Sequence, residues 1–173
     1  MKQRNRATLF SGMVFDVEEF ESEGQKNGWH RYQVIRHPGG VGVLPIHDDG
    51  TVTLIRQSRP AVVATLLELP AGRLDHHETP EECGRRELLE ETGLVAGRLH
   101  PLGFIHSSPG VFDEVIHLYA ATKLSQSAPA PEDDEEIEPV RLPMAEALAM
   151  AADGRISDAK TIAALLRADR LSP

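Results

Sequence analysis

The sequence has a single cysteine, Cys83, and no long apolar run. One cysteine excludes a disulfide scaffold and a zinc site built from several cysteines. No apolar segment reaches the roughly 18–20 residues that a membrane span requires, and the basic start of the chain is not followed by the apolar stretch of a secretory signal. These absences predict a soluble cytoplasmic protein that has no membrane partner.

Positive charge is also scarce. The 173 residues carry a formal net charge of −9, which argues against a nucleic-acid partner. Residues 68–94 hold eight acidic and three basic residues, a net charge of −5, and residues 132–138 hold six acidic residues and no basic one. The rest of the chain is close to neutral. Two acidic clusters of this kind either stay well solvated or meet around cations.

The first 60 residues predict strands. Apolar and polar residues alternate over 11–22 and more loosely over 29–37. Two further apolar segments, 41–47 and 51–57, flank residues 48–50, whose Asp-Gly pair is typical of a hairpin turn. We therefore expect the segments on either side of this turn to form a hairpin.

One helix has clear boundary signals. Thr79 can cap it, Pro80 fits its first position, Glu82 completes a capping box and Gly93 can end it. Further along, the sequence predicts strands at 102–108 and 114–122 and helices at roughly 143–152 and 158–168. The pattern indicates a mixed α/β fold with a core of its own.

Three carboxylates of this helix share one face. Glu87 and Glu91 are four residues apart, and Glu90 flanks them. Converging carboxylates suit hard cations such as Mg²⁺ or Mn²⁺. Charge alone leaves a second interpretation open, in which this is simply a solvated acidic helix face.

Residues 72–94 resemble the Nudix box, G-x5-E-x7-R-E-U-x-E-E-x-G-U, where U is a bulky aliphatic residue. All nine specified positions are filled, by Gly72, Glu78, Arg86, Glu87, Leu88, Glu90, Glu91, Gly93 and Leu94. The resemblance implies a metal-dependent hydrolase of nucleoside diphosphates linked to another group. It also implies an α/β/α sandwich with a mixed sheet at 39–173, preceded by antiparallel strands in an N-terminal region at 1–38.

The resemblance assigns roles within the box. Glu87 and Glu91 become the principal metal ligands, Glu90 shares a further ion, and the backbone carbonyl of Ala71 joins them. Two or more Mg²⁺ or Mn²⁺ ions per site are implied. The positions with a structural role are Gly72, Glu78, Arg86 and Gly93, with Glu78 paired to Arg86.

Other segments resemble the ADP-ribose pyrophosphatase family: an R-Q-x-R and an E-x-P-A-G element before the box, Pro109 after it, and a G-x-I-x-D-x-x-T segment in the tail. In that family a carboxylate outside the box acts as the catalytic base. The matching acids here lie in 132–138, and we predict Glu135, with Glu136 and Asp133 as alternatives. Glu90 is the alternative within the box, and a solvated linker is the other interpretation of the acidic segment.

Substrate contacts can be assigned in the same way. The residues predicted to bind substrate are Arg31, Arg56, Arg59, Glu68, Pro109, Gly110 and Glu114. Glu68 could meet metal or the terminal ribose, whereas Arg56 and Arg59 could reach phosphates or form ordinary surface ion pairs. Trp29 could stack on the adenine or belong to the core.

The resemblance also implies an activity and an assembly. The predicted reaction is Mg²⁺-dependent hydrolysis of the small-molecule substrate ADP-ribose to AMP and ribose 5-phosphate. Another nucleoside diphosphate sugar, such as GDP-mannose, is the alternative substrate, and a non-catalytic ADP-ribose-binding module is the alternative function. The N-terminal strands of relatives cross to a second subunit, so a homodimer is expected.

Overall fold

The structure, a computed structural model, describes residues 1–24, 28–127 and 137–170. The described strands are β1 (Gln3–Ser11), β2 (Asp16–Glu23), β3 (Trp29–Arg36), β4 (Gly40–Pro45), β5 (Thr51–Arg59), β6 (Ala64–Glu68), β7 (Ala71–Arg73), β8 (Leu94–His106), β9 (Val115–Gln126) and β10 (Ile137–Pro143). The helices are α1 (Pro80–Thr92), α2 (Met144–Ala152) and α3 (Ala159–Asp169), with a short 3-10 helix at Pro60–Val62. The predicted mixed α/β class is confirmed.

The strands form three sheets. Strands β1, β2 and β3 make an antiparallel N-terminal sheet, as predicted. Strands β10, β5 and β6 make a second antiparallel sheet. The third sheet has the order β7-β4-β9-β8 and is mixed, because β4 runs parallel to β9 and antiparallel to β7.

The chain divides into two compact units. The first contains residues 1–39 and 106–115, and it holds the N-terminal sheet. The second contains residues 40–105 and 116–173, and it holds the other two sheets and the helices. The domain division at residue 38 and the dimerising role of the N-terminal strands stay predictions.

The core of the second unit lies on both faces of the mixed sheet. Val41 and Val43 of β4 belong to a cluster with Leu88 of α1, whereas Leu44 of the same strand belongs to a cluster with Leu165 of α3. The alternation of side chains along a strand places these clusters on opposite faces. Helix α1 therefore covers one face, and α2 and α3 contribute to the core on the other. None of the helices in the described residues is long and apolar enough to cross a membrane.

Two strand predictions differ from the structure. The turn at residues 48–50 forms, with the backbone N–H of His47 donating to the Thr51 carbonyl at 2.8 Å and an antiparallel bridge between Ile46 and Val52, but the strands beyond it join different sheets. Strand β8 also starts at Leu94, directly after α1, rather than at 102. In both cases the tertiary partner of a strand, which local pattern does not encode, determines the outcome.

Strand β10 was not predicted at all. It contains Pro139 and alternates few apolar residues, so its sequence lacks the usual strand signal. It pairs with β5 over its whole length and forms the edge of its sheet, where a proline is tolerated. Its first two residues, Ile137 and Glu138, are the last two of the acidic segment 132–138.

Candidate active site

Helix α1 begins and ends at the predicted residues. The Thr79 hydroxyl accepts a hydrogen bond from the Glu82 backbone N–H, and the Glu82 carboxylate accepts one from the Thr79 N–H at 2.9 Å, which completes the capping box. At the other end, Gly93 has a φ of 68° and donates its N–H to the Leu89 carbonyl. These caps fix the register that places Glu87, Glu90 and Glu91 on one face.

Arg86 lies at the centre of the box carboxylates. Its Nε and Nη2 donate to the two carboxylate oxygens of Glu78 at 2.9 and 3.0 Å. Its Nη1 donates to Glu87 Oε1 at 2.7 Å and to Glu90 Oε2 at 3.0 Å. The hydrogen bonds that Arg86 donates to Glu78, followed by the charge of Glu87, raise the pKa of Arg86, and the same bonds lower the pKa of Glu78. The guanidinium thus ties the loop before α1 to the helix.

Strand β7 brings the backbone next to these carboxylates. The Ala71 N–H donates to Glu91 Oε2 at 2.8 Å, and a side chain added at Gly72 would collide with the Glu87 carboxylate. Gly72 is therefore required for close approach, because any Cβ would take the place of Glu87. This arrangement positions Glu87 and Glu91 against the chain segment that precedes the box helix.

The donor set of the box fits a hard divalent cation. Glu87 and Glu90 oxygens already lie within 3.0 Å of one positively charged nitrogen, so they can approach a single cationic centre. Within residues 1–24, 28–127 and 137–170, however, no three His, Cys, Asp or Glu side chains are grouped as a metal site. The positive charge that these carboxylates contact here is the Arg86 guanidinium. The predicted ligand roles of Ala71, Glu87, Glu90 and Glu91 stay predictions.

Arg59 and Glu68 are bound to each other. Arg59 Nε and Nη2 donate to the two Glu68 oxygens at 2.8 and 2.9 Å, and Lys160 Nζ also donates to Glu68. Burial opposes ionisation of Glu68, but the bonds from Arg59 and Lys160 outweigh it and lower the pKa of the carboxyl. Both Glu68 oxygens thus contact cations, and its predicted contact with substrate or metal stays a prediction.

Arg56 lies on β5 three residues before Arg59 and faces another environment. It lines an open cavity of about 300 Å³ with Ser58, Thr65, Ile137 and Glu138. Its Nε lies 3.7 Å from Glu138, and both side chains are exposed. This contact is a surface ion pair, and the predicted contact of Arg56 with a substrate phosphate stays a prediction.

The remaining predicted substrate residues lie in the first unit. Arg31 is exposed on β3, with Nε 3.7 Å from Glu19. Pro109 and Gly110 lie in a turn in which the Ser108 carbonyl accepts two backbone hydrogen bonds. Their predicted contacts with substrate, like that of Arg31, stay predictions.

Glu114 has a neighbour that was not predicted. Its Oε1 lies 3.3 Å from His37 Nδ1, and both side chains are largely buried. The same Nδ1 accepts the Gly39 backbone N–H at 3.1 Å. Glu114 therefore lies beside the His37 ring, just after the end of β3.

The predicted bases Glu135 and Glu136, and their alternative Asp133, lie outside the described residues. Glu90, the alternative within the box, is described, and its Oε2 accepts a hydrogen bond from Arg86. The choice among these carboxylates therefore stays a prediction.

Sequence reasoning missed Lys160 and Asp158. They lie within the G-x-I-x-D-x-x-T segment, which was matched by resemblance but given no role. Lys160 contacts Glu68 across 92 residues of chain, and no local pattern reports a contact of that separation. The signal that could have pointed to these two residues was the resemblance of the tail to the ADP-ribose pyrophosphatase family.

Comparison with known proteins gives consistent matches. Residues 36–165 match the family model described as NUDIX domain. The ADP-ribose pyrophosphatase of Bacillus subtilis (strain 168) is 33% identical over 159 residues, covering 91% of this chain and 86% of that protein. The GDP-mannose pyrophosphatase of Pectobacterium atrosepticum is 44% identical over 168 residues, covering 90% and 83%. A solved structure described as an ADP compounds hydrolase covers 98% of this chain and 92% of its own with a TM-score of 0.85, and at 23% identity this likeness concerns the fold alone.

Proposed function

This chain belongs to the Nudix family, and from that premise we propose that it hydrolyses the diphosphate bond of nucleoside diphosphate sugars. The observation that carries the proposal is the convergence of Glu87 and Glu90 on one cationic nitrogen, beside the Gly72 backbone. An acidic site of this kind repels a diphosphate unless a divalent cation lies between them. The relatives named as pyrophosphatases of ADP-ribose and GDP-mannose support the same class of substrate.

Nudix hydrolases generally use divalent metal ions, and the box has the oxygen donors for them. We propose that Glu87, Glu90, Glu91 and the Ala71 carbonyl hold two or more Mg²⁺ or Mn²⁺ ions. When bound, these ions neutralise the diphosphate and acidify a water molecule. Replacing Glu91 by Gln removes one ligand charge, so it should weaken Mg²⁺ binding and abolish most of the activity, as measured by calorimetric titration and product release.

A side chain must also accept the proton of the attacking water molecule. The proposed base is Glu135, with Glu136 as the alternative in the same segment. Glu90 is a third candidate, and because Arg86 contacts its Oε2, a proton would go to Oε1. Glu135→Gln should lower kcat while Mg²⁺ binding stays nearly intact. If that variant is fully active and Glu136→Gln or Glu90→Gln is not, the base is one of the other two residues.

ADP-ribose and GDP-mannose are the two candidate substrates. ADP-ribose is the substrate predicted from the segments outside the box, and it would give AMP and ribose 5-phosphate. GDP-mannose is the second candidate, because the 44% identical relative carries that name. A panel of nucleoside diphosphate sugars with Mg²⁺, assayed for the nucleoside monophosphate released, separates them. Fast release of GMP from GDP-mannose with no AMP from ADP-ribose would overturn the first assignment.

The alternatives of assembly and function have their own tests. A non-catalytic module would bind ADP-ribose with metal and release no product.

The predicted homodimer would have twice the chain's mass of 19.0 kDa by light scattering. The cytoplasmic location stays a prediction.

A further inference from the structure

Glu68 is the hub of a charged network inside the second unit. It lies at the end of β6 with only 1% of its surface exposed, and it contacts Arg59 of β5 and Lys160 of α3. Among the described residues, Glu68 Oε2 accepts from both cations, whereas Oε1 accepts from Arg59 Nε alone. A carboxylate buried to this degree is retained at low cost only when its lone pairs are hydrogen-bonded.

The tail segment explains how Lys160 is held. Asp158 caps α3 by accepting the Thr161 backbone N–H at 2.9 Å, and its other oxygen accepts from Lys160 Nζ at 3.0 Å. The Thr161 hydroxyl accepts the Leu69 N–H at 2.8 Å, which attaches the start of α3 to the residue after Glu68. These contacts join the two elements at a fixed distance, so Lys160 has little freedom to leave Glu68.

Arg59 is the exposed end of this network. Its side chain is 37% exposed, against 12% for Lys160 and 2% for Glu68. Arg59 donates from Nε and Nη2 to Glu68, and within the described residues Arg59 Nη1 has no hydrogen-bond partner. The guanidinium is planar and rigid, so two bonds on one edge fix the direction of the donors on the other. Those donors suit the oxygens of a phosphate group.

We propose that Lys160 is a positioning residue that acts through Glu68 to hold the Arg59 guanidinium toward the diphosphate of the substrate, an inference that rests on the proposed function. Lys160 donates to Glu68 Oε2, the same oxygen that accepts from Arg59 Nη2, so it fixes the rotation of the carboxylate. Without it, the carboxylate and the guanidinium can turn together, and the phosphate-binding donors lose their direction. Helix α3 thereby contributes to substrate binding through a residue that does not itself contact the substrate.

The test is a double-mutant cycle on kcat and KM for the hydrolysed nucleotide sugar. We expect Lys160→Met to raise KM about tenfold. Lys160→Arg should restore most of the lost binding, because a positively charged side chain again contacts Glu68. Lys160→Gln serves as a second variant should the Met variant fold poorly. In an Arg59→Met background, Lys160→Met should change KM little further. If the two effects instead multiply, Lys160 acts independently of Arg59 and the proposal is wrong.

A second readout does not depend on activity. In a ¹⁵N spectrum, the Arg59 Nε–H signal, assigned by its loss in Arg59→Lys, should be sharp in the wild type and weakened by exchange with water in Lys160→Met. Arg155→Met is the matched control, since Arg155 pairs with Asp153 at the exposed turn before α3 and should change neither KM nor the signal. An unchanged Arg59 signal in Lys160→Met overturns the proposal. A wild type that shows this signal but hydrolyses no nucleotide sugar overturns the proposed function instead.

Discussion

Replacing Arg86 by Met tests the cluster at the centre of the box. The change removes four hydrogen bonds that Arg86 donates to carboxylates, two to Glu78 and one each to Glu87 and Glu90. The three carboxylates are only 13–26% exposed, so they cannot recover full hydration, and three negative charges then lie close together. We expect the variant to be less stable for both reasons.

The magnitude follows from these exposures. A buried charged hydrogen bond contributes about 1.5–3 kcal/mol and an exposed ion pair less than about 1 kcal/mol. Arg86 lies between these limits at 30% exposure, so the four bonds together should contribute about 2–4 kcal/mol to the free energy of unfolding. For a chain of this size, each kcal/mol shifts Tm by about 2–4 °C, so a decrease of about 4–16 °C is expected.

The assay is thermal unfolding at low salt, with Arg85→Met as the control. Arg85 precedes Arg86 on the same helix, but its carboxylate partner Glu81 is 57% exposed and its other hydrogen bond goes to the Ala96 carbonyl, so its loss should cost about 1 kcal/mol. Added salt should narrow the gap between Arg86→Met and wild type, because it screens the repulsion among the carboxylates. Equal Tm values for the two variants would refute the assignment of Arg86 as the centre of the cluster.

Three further outcomes are expected. Gly72→Ala should lose most activity, since a Cβ there takes the place of the Glu87 carboxylate, and product release from the nucleotide sugar measures it. Burial, followed by the charge of Glu78, raises the pKa of Cys83 to about 12. At pH 8 its thiolate fraction is therefore about 10⁻⁴, and a thiol reagent should label it only after unfolding. Thr79→Ala removes the helix cap and should lower the free energy of unfolding by about 1 kcal/mol in a urea titration.

Local signals predicted α1 well and the sheets less well. The caps at Thr79 and Gly93 depend only on neighbouring residues, so the helix bounds could be derived from spacing. The pairing of β10 with β5 joins residues about 80 positions apart, such as Ile137 and Gln57, and has no local signature. The Asp-Gly turn formed as expected, but the sheet that each flanking strand joins is decided by core packing.

The same distinction holds for the candidate site. The box motif places Glu78, Arg86 and Glu87 within ten residues of one another, so their proximity could be predicted. The contact of Glu68 with Lys160 depends on where α3 packs, and it changes how Glu68 is interpreted. In the structure Glu68 binds Arg59 and Lys160, and its predicted contact with substrate or metal stays a prediction.

The most direct test of the account is a measurement of nucleoside monophosphate release. ADP-ribose and GDP-mannose are each incubated with the wild type and with Glu91→Gln, in Mg²⁺ and after chelation with EDTA. We expect AMP or GMP release by the wild type in Mg²⁺, its loss with EDTA and its near loss in the variant. Release that is unchanged by EDTA and by Glu91→Gln, or no release from any nucleoside diphosphate sugar, would contradict this expectation.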